Sequence, residues 1–312
     1  MSHSDKMRAI PRRLSHQTDR RFLYMPNVQT PLTGLTVANG EKLAWGFRTY
    51  VMGIINVTPD SFSGDGLGGD VSAAVEKALR FQEEGADILD IGAESTRPGH
   101  DKVSLDKELA RLMPTLEAVA AKVCLPISVD TYKAAVARRA IDAGATIIND
   151  IWGLKAEPEL ANVAAETGAG LVLMHNQKGT HYKDLLPDVV ASLRESVKTA
   201  IEVGVPQENI IVDPGIGFGK TPDQNLAVLA RLAALKAVGC PILVGTSRKS
   251  TLGLLLDLPA DQRVEATAAT VSLAIAGGAD LVRVHDVKEM VRVCRVTDAV
   301  VRGWRPQGWN AS

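Results

Sequence analysis

Eight short, almost unbroken apolar runs, separated by stretches of helical period, limit what this chain can fold into. They are YVMGIINV (50–57), DILDIG (87–92), PISVD (126–130), TIIND (146–150), GLVLMH (170–175), NIIVD (209–213), PILVGT (241–246) and DLVRVH (280–285). Continuous apolar strands belong to a parallel sheet covered on both faces. Between the first two runs, Val71, Ala74, Val75, Ala78 and Leu79 fall on one helical face, with Asp70 placed as N-cap and Gly85 as C-terminal cap. The last helix repeats this pattern with Val287, Met290, Val291, Cys294 and Val301, which assigns Cys294 to the core. Gly85-Ala86, Gly144-Ala145, Gly168-Ala169, Gly239-Cys240 and Gly278-Ala279 each close a helix just before a strand, as the short connections of parallel units require. Eight such units predict a closed (β/α)8 TIM barrel over residues 50–302, a single domain, in preference to a six-stranded doubly wound sheet.

The flanks are read separately. Residues 1–31 carry basic side chains without an apolar run and are expected to be a mobile basic arm lacking a secretory signal. Segment 32–49 has Asn39-Gly40 between strand-like arms and predicts a hairpin closing the barrel bottom, while 303–312 is left as a tail. The 35 basic and 36 acidic side chains nearly cancel, which argues against nucleic acid as a partner. No stretch has the length of a membrane span. Cys124, Cys240 and Cys294 form no CxxC and suit buried thiols in a reducing compartment, so cytoplasm is expected.

Nearly every apolar run ends in polar residues: Asn56, Glu94, Asp130, Asn149 with Asp150, His175, Asp213, Ser247 with Lys249, and Arg283 with His285. In a barrel all the carboxyl ends lie on one face, so residues about 200 apart in sequence are expected to converge there. Arg283 and His285 stand at i and i+2 and share a face, two potential cations suited to a phosphate or pyrophosphate. Lys249, in SRKS (247–250), adds a third. Asp130, Asn149 and Asp213 supply acceptors and one amide, a set that suits a flat heterocycle rich in N–H donors better than a metal. A structural ion-pair network is the alternative. Gly64, Gly66 and Gly69 satisfy GxGxxG, but six residues separate them from the strand, so a glycine-rich lid is the better reading than a dinucleotide fingerprint. GIGFGKT (215–221) is one residue too short between its glycines for a phosphate loop, and Pro222 follows at once.

NVTPDSFS (56–63), DIGAESTRPG (90–99), SVDT (128–131), IIND (147–150), LMH (173–175), DPGIGFGKT (213–221), GTSRKS (245–250) and GADLVRVHDV (278–287), in this order, resemble the dihydropteroate synthase family of pterin-binding folate enzymes. The resemblance implies a (β/α)8 barrel that joins p-aminobenzoate to 6-hydroxymethyl-7,8-dihydropterin pyrophosphate, with magnesium, in a homodimer. It implies that Asp130, Asn149, Asp213 and Lys249 hydrogen-bond the pterin, over a floor packed by Ile151 and Met174. It places Arg283 against the ring and the pyrophosphate, and Asn56 and His285 on pyrophosphate and its Mg²⁺, with Asn56 the metal residue. Asp130, Lys249, Arg283 and His285 are the implied catalytic set. Thr96 and Arg97 fall on the second loop, Phe218 in the aminobenzoate pocket and Ser250 near the aminobenzoate carboxylate. After LMH the family commonly continues to Gly-x-Pro, where this chain has NQKGTHY. Two rivals share the pterin-holding acceptors: a corrinoid methyltransferase barrel, which has no need of the SRKS and RVHD cations, and a pterin-binding homologue without catalysis.

Overall fold

The computed structural model describes residues 43–58, 70–94 and 103–309. The basic arm, the Asn39-Gly40 turn, most of the glycine-rich first loop and the Thr96-Arg97 loop lie outside the described residues. Eight parallel strands, β1 (Tyr50–Asn56), β2 (Ile88–Gly92), β3 (Ile127–Asp130), β4 (Ile147–Asp150), β5 (Gly170–Met174), β6 (Ile210–Asp213), β7 (Leu243–Val244) and β8 (Leu281–Val284), form one sheet in the order β6-β5-β4-β3-β2-β1-β8-β7. A parallel bridge between Val212 and Ile242, with Val212 N–H donating to Pro241 O at 2.9 Å, links β6 to β7 and nearly closes the barrel. The connecting helices are α1 (Val71–Glu84), α2 (Leu105–Ala120), α3 (Ala134–Asp142), α4 (Leu160–Thr167), α5 (Leu185–Glu202), α6 (Pro222–Ala230), α7 (Ser250–Leu256), α8 (Val264–Ala276) and α9 (Val287–Val301). The Asp70 side chain accepts from Ala73 N–H at the start of α1, and Gly85 ends it in a left-handed conformation. None of the described helices is long and apolar enough to cross a membrane.

Side chains alternate across each strand, and the two faces bury different things. One parity, including Val51, Ile55, Leu89, Ile91, Val129, Ile148, Leu171, Val212 and Val282, packs against the helices in the main core, where Cys294 also lies. The other parity points into the barrel. Its lower layer is apolar but for one tyrosine hydroxyl: Tyr50, Met52, Ile88, Ile147, Val172, Ile211, Leu243 and Leu281. Continuing up the same columns, the residues become polar: Asn56 on β1, Asp90 on β2, Ser128 and Asp130 on β3, Asn149 on β4, Asp213 on β6 and Arg283 on β8. A dry base thus supports a polar mouth.

Leu43 and Trp45 join the lower layer from outside the sheet and plug it. Residues 43–49 run as turns and not as the second strand of the expected hairpin. Near the end of this segment, Arg48 Nη2 donates to Asp87 Oδ1 at 2.7 Å. Trp45→Ala is expected to destabilise the protein by about 3–5 kcal/mol in urea unfolding, because it opens a cavity under a rigid apolar layer. Trp45→Phe should cost much less, since the buried indole N–H has no hydrogen-bond partner to lose. A Trp45→Ala loss under about 1 kcal/mol would reject the plug.

Candidate active site

The interior column of β8 carries Arg283 into the middle of the polar layer. Its Nε donates to Asp90 Oδ2 at 2.6 Å and its Nη2 to Asp130 Oδ2 at 2.8 Å. Asp90 is fully buried and also accepts from Ser128 Oγ at 2.6 Å and from the Asn149 amide at 3.3 Å. Two carboxylates therefore share one cation. Burial would lower the Arg283 pKa, but Asp90 and Asp130 outweigh it and raise the value. Burial likewise pushes the Asp130 carboxyl up, against the pull of Arg283, and the neighbouring Asp90 charge pushes in the same direction. Asp130 Oδ1 is buried with no hydrogen-bond partner. A buried carboxylate oxygen in that condition is a vacant acceptor for a ligand N–H.

Asp213, at the end of β6, is pushed up to about 6 by burial, opposed by the Gly215 N–H that donates to its Oδ1 at 2.6 Å and by Lys249. Lys249 precedes α7 and reaches the site because the turn before it is pinned. Arg248 sits in the left-handed region with φ 56, its guanidinium on Asp286, and Arg263 donates to the carbonyls of Arg248 and Lys249 at 2.9 and 3.2 Å. The Lys249 ammonium lies 4.3 Å from the centre of the Phe218 ring, a cation–π contact. Gly217 permits this approach, since a Cβ there would stand 3.1 Å from Lys249 Cδ. His285 Nδ1 is 3.0 Å from Ser247 Oγ, which also accepts from the His285 backbone N–H at 3.1 Å. Ile151 and Met174 are buried, Asn56 is half-buried at the end of β1, and Ser250 is exposed at the first turn of α7.

The expected ring of polar strand ends is therefore split by parity. Asp130, Asn149, Asp213, Arg283 and His285 fall on the interior columns. Asp150 and His175 do not converge with them, because each is one residue out of step and faces the helix layer. Asp150 instead accepts from the backbone N–H of Trp152 at 2.8 Å and of Leu154 at 2.6 Å, shaping the turn after β4. His175 bonds Lys220 at 2.9 Å behind the sheet. Glu94 accepts from Lys133 Nζ at 2.6 Å and from Val103 N–H at 3.0 Å, so it ties the two sides of the Thr96-Arg97 loop rather than lining the pocket. Asp90 is the central residue that sequence reasoning missed as part of the site. The signal was present: an Asp inside an apolar strand needs a buried cation, and Arg283 is the only Lys or Arg inside the eight apolar runs.

Among the described residues no group of three or more His, Cys, Asp or Glu side chains could hold a metal ion. The donor set at the mouth offers the neutral oxygen of Asn56. That suits a magnesium that keeps most of its waters and enters on substrate phosphate oxygens, a mode needing few protein ligands.

Residues 52–285 match the family described as pterin binding enzyme. The dihydropteroate synthase of Bacillus subtilis (strain 168) is 51% identical over 261 residues, covering 84% of this chain and 92% of that protein. The dihydropteroate synthase of Clostridium difficile, solved in the presence of pteroic acid, superposes with a TM-score of 0.80 at 47% identity, covering 83% of this chain and 98% of that one. That of Xanthomonas albilineans, solved with 4-aminobenzoic acid, gives 0.79 at 41% identity, covering 86% and 97%. With the barrel, the buried Asp90–Arg283–Asp130 centre and the Lys249–Phe218 pair in place, this chain belongs to the dihydropteroate synthase family of pterin-binding enzymes.

Proposed function

We propose that the barrel mouth joins p-aminobenzoate to 6-hydroxymethyl-7,8-dihydropterin pyrophosphate, giving 7,8-dihydropteroate and pyrophosphate. The observation that carries this reading is the vacant, buried Asp130 Oδ1 beside a guanidinium. It offers an acceptor for a heterocycle N–H within reach of a cation suited to the leaving group. Asp130, Asn149 and Asp213 hold the donor edge of the pterin, Lys249 donates to it, and Ile151 and Met174 form its apolar floor. Arg283 and His285 take the pyrophosphate. Asn56 would hold a magnesium ion, which when bound would supply charge neutralisation of the leaving group. Thr96 and Arg97, on the second loop, are assigned by resemblance to the pyrophosphate and p-aminobenzoate site, and Phe218 and Ser250 to the aminobenzoate ring and carboxylate.

In the reaction the carbon–oxygen bond of the pterin methylene breaks and its electron pair leaves with pyrophosphate. Positive charge developing on the methylene is shared with the pterin ring and favoured by the Asp130 carboxylate. The neutral aryl amine attacks, the carbon–nitrogen bond forms, and the amine loses one proton to solvent. No strong general base is needed, because the amine is unprotonated at neutral pH. A corrinoid methyltransferase would leave Arg283 and His285 without an anion to bind. The chain acts as a homodimer, supported by exposed Leu273 on α8 and Val296 and Val300 on the adjoining α9, and in the cytoplasm, supported by three unpaired cysteines.

The deciding assay is Mg²⁺-dependent pyrophosphate release from the pterin pyrophosphate, with and without p-aminobenzoate. Release that requires both supports the synthase; binding without release identifies a non-catalytic homologue. Lys249→Ala should lower turnover or pterin binding roughly 10- to 150-fold, the value of about 1.5–3 kcal/mol for a charged hydrogen bond. Unchanged kinetics would remove Lys249 from the site.

Pterin binding should also follow pH. The pterin takes the ionised carboxylate of Asp213, whose value in the free protein is about 6. Protonation on lowering the pH therefore competes with the ligand, so affinity is lost as pH falls through that value and is restored above it. Calorimetric titration at pH 5 should show roughly tenfold weaker pterin binding than at pH 8, one pKa unit being a factor of ten. Equal affinity at both pH values would count against recognition by an ionised Asp213.

A further inference from the structure

Lys220 closes the glycine-rich GIGFGK stretch after β6 and lies behind the sheet, away from the Arg283 centre. It is 8% exposed. Its Nζ is 2.9 Å from His175 Nδ1, 3.1 Å from Gly215 O and 3.1 Å from Phe218 O. Those three acceptors use all three donors of an ammonium. Two of them are carbonyls at opposite ends of the 215–218 turn, so one side chain ties the turn across its base. With Nδ1 accepting, the His175 ring carries its proton on Nε2.

The turn needs such ties. Gly215 and Gly217 have φ of 69 and 84, and a Cβ on Gly215 would run into the His175 carbonyl oxygen. Glycine adopts these angles without steric cost but leaves the chain conformationally free, so the shape of the turn must be fixed by contacts. Asp213 accepts from Gly215 N–H, Asn225 Oδ1 accepts from Gly217 N–H at 2.8 Å, and the Tyr182 hydroxyl donates to Gly219 O at 2.7 Å. Tyr182 also lies against the His175 ring, with centroids 5.9 Å apart. Phe218 closes the turn, its N–H donating to Gly215 O at 3.1 Å, and its ring meets Lys249.

We infer that Lys220 and His175, with Tyr182, form a buried brace that positions Phe218 for the aromatic amine, making Lys220 a positioning residue of the reaction. The inference rests on the assignment of Phe218 to the aminobenzoate pocket. A lysine in this place is costly. Burial pushes its ammonium down to about 7, Asp213 is the acid that opposes this, and Lys155 and Lys249 add to the lowering. Burial, Lys220 and Lys155 push His175 down to about 3, so the ring remains a neutral acceptor. What the arrangement fixes is the carbonyl of Phe218 itself. Asp90, Asp130, Asn149 and Arg283 take their positions from β2, β3, β4 and β8 and do not depend on the turn.

The test is the separation of the two Michaelis constants. At pH 8, where Asp213 stays ionised without the help of the Lys220 charge, Lys220→Met, similar in shape but without donors, is expected to raise KM for p-aminobenzoate about tenfold and leave KM for the pterin pyrophosphate within about twofold, the loss of one or two hydrogen bonds. Tyr182→Phe keeps the ring and removes one tie, so it should act in the same direction by about threefold even if Lys220→Met folds poorly. Phe218→Ala, run in parallel, reports on the pocket. If it raises the aminobenzoate KM while Lys220→Met and Tyr182→Phe leave both constants unchanged or move them equally, the brace is overturned. If Phe218→Ala leaves that KM unchanged, the pocket assignment fails and takes the inference with it.

Discussion

One guanidinium shared by two carboxylates inside a barrel is the interaction on which the site depends. Asp90 and Asp130 are removed from water and Arg283 is half-buried, and taking an ion into a protein interior costs several kcal/mol even after relaxation. The attraction within the triad offsets part of that cost. It does not balance the charge, because two acids face one base. The surplus appears where the structure leaves it, on Asp130, whose pKa burial raises and whose Oδ1 has no partner. The centre is therefore unsatisfied in the sense that suits a ligand bringing N–H donors and an anion-bearing arm. Its positions are fixed by strand register, Met52 pairing with both Ile88 and Arg283 in the ladders that set β2 and β8 beside β1.

The barrel tolerates this centre because the layer beneath it contains no polar group from the strands other than the Tyr50 hydroxyl. Met52, Ile88, Ile147, Val172, Ile211, Leu243 and Leu281 close the lower half, and Leu43 and Trp45 cap it. Water cannot reach Arg283 from below, so electrostatic interactions at the mouth act in a medium where they are strong. Stability and chemistry are thus divided along the same strand columns, two residues apart. Within the near-zero net charge of the chain the mouth is locally sorted: Arg283 and Lys249 lie close enough to Asp130 and Asp213 to oppose the rise that burial causes in both carboxyls.

Much of this was legible in the sequence because it follows from period. Eight apolar runs, helix-ending glycines and the i, i+2 pair Arg283/His285 translate directly into strands, connections and a shared face. What period alone misjudged was the strand end. Asp150 and His175 look like neighbours of Asn149 and Met174 in the sequence, yet one step along a strand turns a side chain to the opposite face. Asp90 was missed for the converse reason: it lies inside a run, where an apolar context suggests structure, and its partner is 193 residues away. Phe218 and Lys249 meet through two turns with left-handed residues, a geometry no hydrophobic pattern encodes. Only the resemblance to a known family pointed to Phe218.

The two faces of the sheet also divide the work of holding the substrates. Interior columns carry groups fixed by the ladders, which can be placed within tenths of an ångström but cannot move independently of the barrel. Phe218 instead sits on a turn, and a turn must be held by other means. Here that is achieved from the outer face by Lys220, His175 and Tyr182, residues whose parity or loop position excludes them from the pocket. His175 leaves the polar ring expected at the mouth, and that same displacement puts it within reach of Lys220. A polar residue on the wrong face of a strand is a defect in a barrel only if nothing behind the sheet needs it. In this chain the β6–α6 turn does, since its glycines leave it conformationally free and only contacts from outside hold the aromatic ring against Lys249.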